Sequence, residues 1–94
     1  MAKSIKAIPT PDLNQNLTAE LLGQAIRARR TQSNLRLEDA AALCGVAKQT
    51  LMNIEHAEGV SQMSTILQIC SGLGIELCIQ PWPTEGEAND DDWQ

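Results

Sequence analysis

A glycine between two short apolar-patterned segments constrains the fold of this 94-residue chain more than any other feature. Residues 37–43 have the spacing of a short helix, and Gly45 follows where a helix C-terminus needs a positive φ, which glycine adopts without steric cost. Residues 48–56 then resume helical spacing, with Leu51 and Ile54 as the expected buried pair. The segment therefore predicts two short helices joined by a tight turn.

Two further helices flank this pair in the sequence. The first is expected to begin at Thr18, because threonine is a good N-cap and Glu20 suits the positive end of a helix. The last is expected to begin at Ser61 and to end at Gly72 and Gly74. Together they predict an all-α domain of four to five helices. The residues expected to face its core are Leu22, Ala25 and Ile26, then Ala40, Ala41 and Leu43, then Leu51 and Ile54, then Met63, Ile66, Leu67, Ile69 and Cys70.

Residues 75–80 have a different period. Ile75, Leu77 and Ile79 alternate with polar or small residues until Pro81, which is typical of a short β-strand. A strand needs a partner for its backbone N–H and C=O groups. The simplest partner is the same strand of a second copy across a two-fold axis, and residues 3–8 are the alternative. We expect a homodimer in either case.

The chain divides into an N-terminal arm (residues 1–17), a folded domain (18–80) and an acidic tail (81–94). The tail has the composition of a disordered segment, apart from Trp93 near its end. Trp93, with Asp91 and Asp92, is a candidate contact to a basic surface on a partner protein. The alternative, that Trp93 is an incidental exposed residue, stays open.

Charge is unevenly distributed along the chain. The net charge is −5, yet all seven basic residues lie in the first 48 positions, against four acidic ones. Residues 49–94 carry eight acidic residues and no basic one. A basic half and an acidic half predict two partners of opposite charge.

The exposed side of the third predicted helix has the chemistry of a DNA-binding surface. Lys48 can donate to guanine O6 and N7, and Gln49 and Asn53 can pair with adenine N6 and N7. Ala47 and Thr50 stand beside them. These residues sit on the second helix of what is then a helix-turn-helix, the position that enters the major groove. The alternative is a solvated polar face on an amphipathic helix.

Other classes of function lack residue support. The chain has no glycine-rich phosphate loop, no HExxH and no Ser/His pair, so we expect no enzyme and no cofactor. Three cysteines and a lone His56 have no metal-site spacing. No apolar run is long enough for a membrane span, and the N-terminus lacks the apolar core of a signal peptide. We therefore expect a cytoplasmic protein.

From Leu22 to about Gln80 the chain resembles the lambda-repressor-like (Xre) helix-turn-helix family, and within it most resembles HipB-type antitoxins. The resemblance rests on the run Gln-Thr-Leu-Met-Asn-Ile-Glu ending at Glu55, the helix from Met63 to Leu73, the strand at 77–79 and a near-terminal Trp. It implies a homodimeric repressor that binds an inverted repeat and partners a HipA-like kinase toxin. A stand-alone operon regulator with no toxin, or an interaction adaptor that has lost DNA binding, are the alternatives.

The resemblance also implies roles for single residues. Base contacts fall on Lys48, Gln49 and Asn53, flanked by Ala47 and Thr50, and an ion pair is expected between Arg30 and Glu55. Two positions depart from the family pattern. Where this chain has Arg36-Leu37, the family often has a glutamine that contacts the DNA backbone. Where this chain has Ala47, the family usually has a Ser or Thr that caps the recognition helix. We expect phosphate attraction from Arg27, Arg29 and Arg36.

Overall fold

Four α-helices form the body of the protein in the computed structural model, which describes residues 5–83. They confirm the expected all-α architecture, with boundaries within two residues of the predicted ones. None of these helices is long and apolar enough to cross a membrane, within the residues described. In chain order the helices are α1 (Ala19–Gln32), α2 (Leu37–Cys44), α3 (Lys48–Glu55) and α4 (Met63–Leu73).

Only one of the four helix starts has a side-chain cap. The hydroxyl oxygen of Thr18 accepts a hydrogen bond from the backbone N–H of Leu21 at 3.0 Å, as the sequence predicts. Ala47, the N-cap of α3, has no side chain able to do so. Helix α4 starts after Gln62 instead of Ser61, again without a side-chain cap.

All four helices end in the same way, with one residue at positive φ. The following residue donates its N–H to a carbonyl five positions back, at 2.8–3.1 Å, which is the Schellman pattern. The sequence predicted the ends at Gly45 and Gly74, whereas the positive φ of Ala57, just after the predicted end of α3 at residue 56, was not expected. The positive-φ residues are Asn34 (60°), Gly45 (75°), Ala57 (56°) and Gly74 (77°).

The core lies where α1 and α2 pack against α3 and α4. Ile26, Leu51 and Ile69 have no exposed surface. Cys44 and Cys70 are buried as small core residues, as their positions on the apolar helix faces predict, and Leu73 is a core residue that the sequence pattern did not single out. The close crossing of α1 and α3 requires Gly23, because a Cβ there would lie 2.4 Å from the carbonyl oxygen of Glu55.

Three residues predicted to face the core lie at the surface. Leu43, Met63 and Leu67 are 59%, 63% and 48% exposed, so these predictions were wrong. In α2 the inward face is formed by Ala40, Ala41 and Cys44, which turns Leu43 outward. The fully buried residues of α4 all lie in its second half, and in its first turn Ile66 is only half-buried against the core while Met63 is exposed.

Residues 75–80 form neither a helix nor a β-ladder within the described part of the single chain, so the predicted strand is not seen there. Ile75 and Leu77 pack against the core, whereas Ile79 is 86% exposed. The N-terminal arm does not act as their strand partner, because its described residues hydrogen-bond to the end of α1. Pairing with a second copy stays a prediction.

Candidate DNA-binding face

The exposed side of α3 brings together the residues predicted to contact bases. Lys48 and Gln49 are exposed, and Thr50 and Asn53 are half-buried. The Nε2 of Gln49 donates to the Oδ1 of Asn53 at 2.9 Å, so the two amides are joined one turn apart. We call Lys48, Gln49, Thr50 and Asn53 the α3 polar face.

The joined amides leave a donor and an acceptor available to a ligand. Gln49 keeps its carbonyl oxygen free, and Asn53 keeps its amide N–H groups free. Adenine shows the complementary pair in the major groove, an N7 acceptor beside an N6 donor. The bond between the two side chains restricts their rotamers, so less side-chain entropy is lost on binding.

The start of α3 offers a second set of donors. Because Ala47 supplies no capping oxygen, the first N–H groups of the helix have no side-chain partner. Such groups, with the positive end of the helix dipole, favour anions such as phosphate. The residue that departs from the family pattern thus leaves the helix start open.

The charges around the start of α2 nearly cancel. Arg36 is the exposed N-cap residue, and its backbone N–H donates to the carboxylate of Asp39 at 3.3 Å. The ammonium of Lys48 lies 3.9 Å from the carboxylate of Glu38, and both side chains are more than half exposed. A pair with this distance and exposure contributes little to stability, so Lys48 remains available for another partner.

A buried ion pair fixes the orientation of α3, as the family resemblance implies. The Nε of Arg30 lies 2.6 Å from one carboxylate oxygen of Glu55, and its second terminal nitrogen lies 2.9 Å from the other. The remaining terminal nitrogen donates to the carbonyl of Leu35 at 2.9 Å, in the turn before α2. One guanidinium therefore links α1, the end of α3 and the turn that leads into α2.

The arginines of α1 fall into different surroundings. Arg27 is exposed and free to attract a phosphate. Arg29 donates from Nε to the carbonyl of Leu73 at 2.9 Å, at the end of α4 where residues 75–80 begin. No hydrogen bond or ion pair among the described residues joins Arg29 to the α3 polar face, and its phosphate contact stays a prediction.

The other predicted site residues lie away from α3 or outside the structure. Ile75 and Leu77 cover the core, and Ile79 points to solvent. Beside them the structure has a groove of about 710 Å³ that sequence reasoning missed, bounded by residues 10–17, α1 and residues 75–80. The predicted partner contacts Asp91, Asp92 and Trp93 lie outside the described residues.

The cysteines have no arrangement for metal binding in residues 5–83. Cys44 and Cys70 are buried, and Cys78 is exposed. Burial raises the pKa of the Cys44 thiol, and burial together with the neighbouring Cys44 raises the pKa of the Cys70 thiol. The neutral thiols therefore contribute stability that is complete below the ordinary thiol pKa and is lost as pH rises through the raised values.

Comparison with known proteins agrees with this geometry. A family model described as a helix-turn-helix domain matches residues 21–77, which include α1 from its third residue, all of α2, α3 and α4, and the α3 polar face. The chain belongs to this helix-turn-helix family. As a member it is a DNA-binding regulator by class, whereas its operator and partners are not shown by the match.

Solved structures show the same fold. Seven chains match, among them one titled "MDT Protein", with a TM-score of 0.65 and 17% sequence identity. That match covers 73% of this chain and 97% of the other. At this identity the likeness concerns the fold alone. No curated protein matches the chain.

Proposed function

We propose that this protein is a homodimeric transcriptional repressor that recognises an operator with α3 and regulates its own promoter. The α3 polar face carries the proposal, because a joined glutamine and asparagine next to an exposed lysine suit base contacts in a major groove. The buried Arg30–Glu55 pair supports it, since it holds the helix that presents these side chains. The protein acts by binding and not as an enzyme.

The proposed dimer is supported by the strand-like sequence of residues 75–80. Beyond Ile75, whose N–H is bonded to Cys70, these residues have no backbone partner among the described residues, and a second copy would supply the ladder. Each subunit then places α3 in successive major grooves, about 34 Å apart on one side of the duplex. The operator is an inverted repeat for the same reason.

The wider role that we propose is that of the antitoxin in an operon with a HipA-like kinase toxin. Its support is the resemblance to HipB-type antitoxins. In this role Asp91, Asp92 and Trp93 of this chain are candidate contacts to the toxin. As a DNA-binding regulator it works in the cytoplasm. A stand-alone operon regulator is the second candidate, and a kinase-like reading frame beside the gene would favour the antitoxin.

A titration with DNA tests the repressor. Fluorescence anisotropy would compare a duplex from upstream of its own coding sequence with a scrambled duplex, at several salt concentrations. We expect the upstream duplex to bind about 10³-fold or more tightly, with affinity falling steeply as salt rises. A folded dimer that binds neither duplex at low salt would exclude the repressor and favour an interaction adaptor.

A further inference from the structure

The N-terminal arm is hydrogen-bonded along the C-terminal end of α1. The N–H of Ile5 donates to the Oδ1 of Asn34 at 3.0 Å, and the N–H of Ile8 donates to the hydroxyl oxygen of Thr31 at 3.0 Å. The amide of Gln32 donates to the carbonyl of Ile8 at 2.8 Å and to the hydroxyl oxygen of Thr10 at 2.9 Å. Four contacts over six residues give this part of the arm a defined path.

That path turns one basic residue outward. Ile5 and Ile8 are half-buried, whereas Lys6, between them, is exposed. The residue before Lys6 is hydrogen-bonded to Asn34, which stands two positions before Arg36 at the start of α2. The arm therefore places the backbone of Lys6 next to a residue bonded to the turn that leads into α2, with its side chain exposed.

The start of α2 is where a helix-turn-helix meets the DNA backbone, because the first helix of the motif crosses the phosphates. In this chain Arg36 and Lys48 carry two positive charges there, and Glu38 and Asp39 carry two negative ones, of which Glu38 lies 3.9 Å from Lys48. A neutral surface gives a phosphate little attraction. Lys6 adds the charge that makes this side of the domain positive.

We propose that Lys6 binds a DNA phosphate beside the start of α2, and that Thr31, Gln32 and Asn34 position it by holding the arm. The inference rests on the proposed function, since it concerns the same DNA complex. It adds an element outside the matched domain, which begins at residue 21. The contact is to the backbone and carries no sequence information.

Replacing the charge tests the phosphate contact. The probes are the upstream duplex and the scrambled duplex, and the variants of the full-length protein are Lys6→Gln and the charge-conserving control Lys6→Arg. In Lys6→Gln each subunit loses one phosphate contact, so the salt slope of the dimer (the slope of log affinity against log salt concentration) should fall in magnitude by about two. Binding to both duplexes should weaken by roughly 10- to 30-fold near ~0.15 M salt. Lys6→Arg retains the affinity and the slope.

Releasing the arm tests the positioning role. Asn34→Gly removes the acceptor for Ile5 but keeps the positive φ of 60°, and Gln32→Ala removes the donor to Ile8 and Thr10. Adding Lys6→Gln to this double variant is expected to weaken DNA binding only slightly. The loss of affinity should be less than about a third of the loss that Lys6→Gln causes in the wild type, because the lysine is no longer held in place. Circular dichroism would check that the helices of these variants remain folded.

The outcomes separate the two proposals. If the wild type prefers the upstream duplex but Lys6→Gln has the same salt slope, the phosphate contact is wrong and the repressor stands. If Lys6→Gln has its full effect in the released-arm variant, the positioning by α1 is wrong. If the folded wild type binds neither duplex, both proposals fall.

Discussion

Ala57 occupies a backbone conformation that suits glycine. Its φ is 56°, at the position after α3 where the Schellman pattern needs a left-handed residue. A Cβ in this region clashes with the following carbonyl and costs roughly 1–2 kcal/mol. The strain is offset by two hydrogen bonds, from Ala57 to Ile54 and from Glu58 to Asn53.

Replacing Ala57 with glycine should therefore stabilise the protein. We expect Ala57→Gly to raise the free energy of unfolding by about 0.5–1 kcal/mol, because the relieved strain exceeds the added entropy of the unfolded chain. Urea denaturation followed by circular dichroism measures it. The matched control is Gly45→Ala, at φ 75°, which should lose about 1 kcal/mol. Equal stability of Ala57→Gly and wild type would contradict this account of the end of α3.

Removing only one member of the buried Arg30–Glu55 pair should destabilise the protein more than removing both. Glu55→Ala leaves a buried guanidinium without its partner, and we expect a loss of about 3–5 kcal/mol. Replacing both residues with methionine removes the unpaired charge, so the double variant should be more stable than Arg30→Met or Glu55→Met alone. A double-mutant cycle in urea checks this. Additive losses would show that the two groups do not stabilise each other.

Among the helices, α3 begins without a side chain that caps its first turn. Ala47 has the extended φ and ψ of an N-cap but no oxygen to accept from the helix. Ala47→Ser should supply one and add about 1 kcal/mol of stability. Ala47→Val, which lacks an acceptor, is the control and should give no gain. A thermal melt compares them, and equal stability of the serine and valine variants would contradict the open helix start.

The elements could be predicted where their chemistry is local. Thr18 and Gly45 mark a helix start and a helix end because the required oxygen or positive φ belongs to that residue. Ala57 gave no such signal, since alanine is the commonest of helix formers and only tertiary packing fixes its strained φ. Leu43 was misplaced because α2 is two turns long, and a short helix can rotate by one residue without losing its apolar pattern.

The candidate site, too, could be predicted only where its residues are close together in the sequence. Lys48, Gln49 and Asn53 share a face by helical spacing alone, so the sequence was enough to group them. The hydrogen bonds of the arm could not be predicted, because they join arm residues to Thr31, Gln32 and Asn34, at least 22 positions away in the chain. Sequence patterns carry no signal for such contacts.

For the molecule as a whole, the proposed repressor is a dimer of two identical chains. Ile75 and Leu77 already cover the core of their own chain, so the exposed Ile79 is the residue left to pack across a dimer. Ile79→Asp should convert the dimer to monomer at micromolar concentration while the helices remain folded. Sedimentation equilibrium measures the mass, with Cys78→Ser, at the neighbouring exposed position, as the control. A dimer of unchanged stability in Ile79→Asp would exclude pairing through this segment.

Recognition of DNA sequence by the α3 polar face can be measured as a ratio of two affinities. The measurement is the ratio of dissociation constants for the scrambled and upstream duplexes, for the wild type and for Gln49→Ala/Asn53→Ala at equal salt. We predict that the variant keeps its affinity for the scrambled duplex but loses most of the preference, at about 1–3 kcal/mol for each base contact removed. An unchanged ratio in a folded variant would contradict this prediction, because recognition would then lie outside α3.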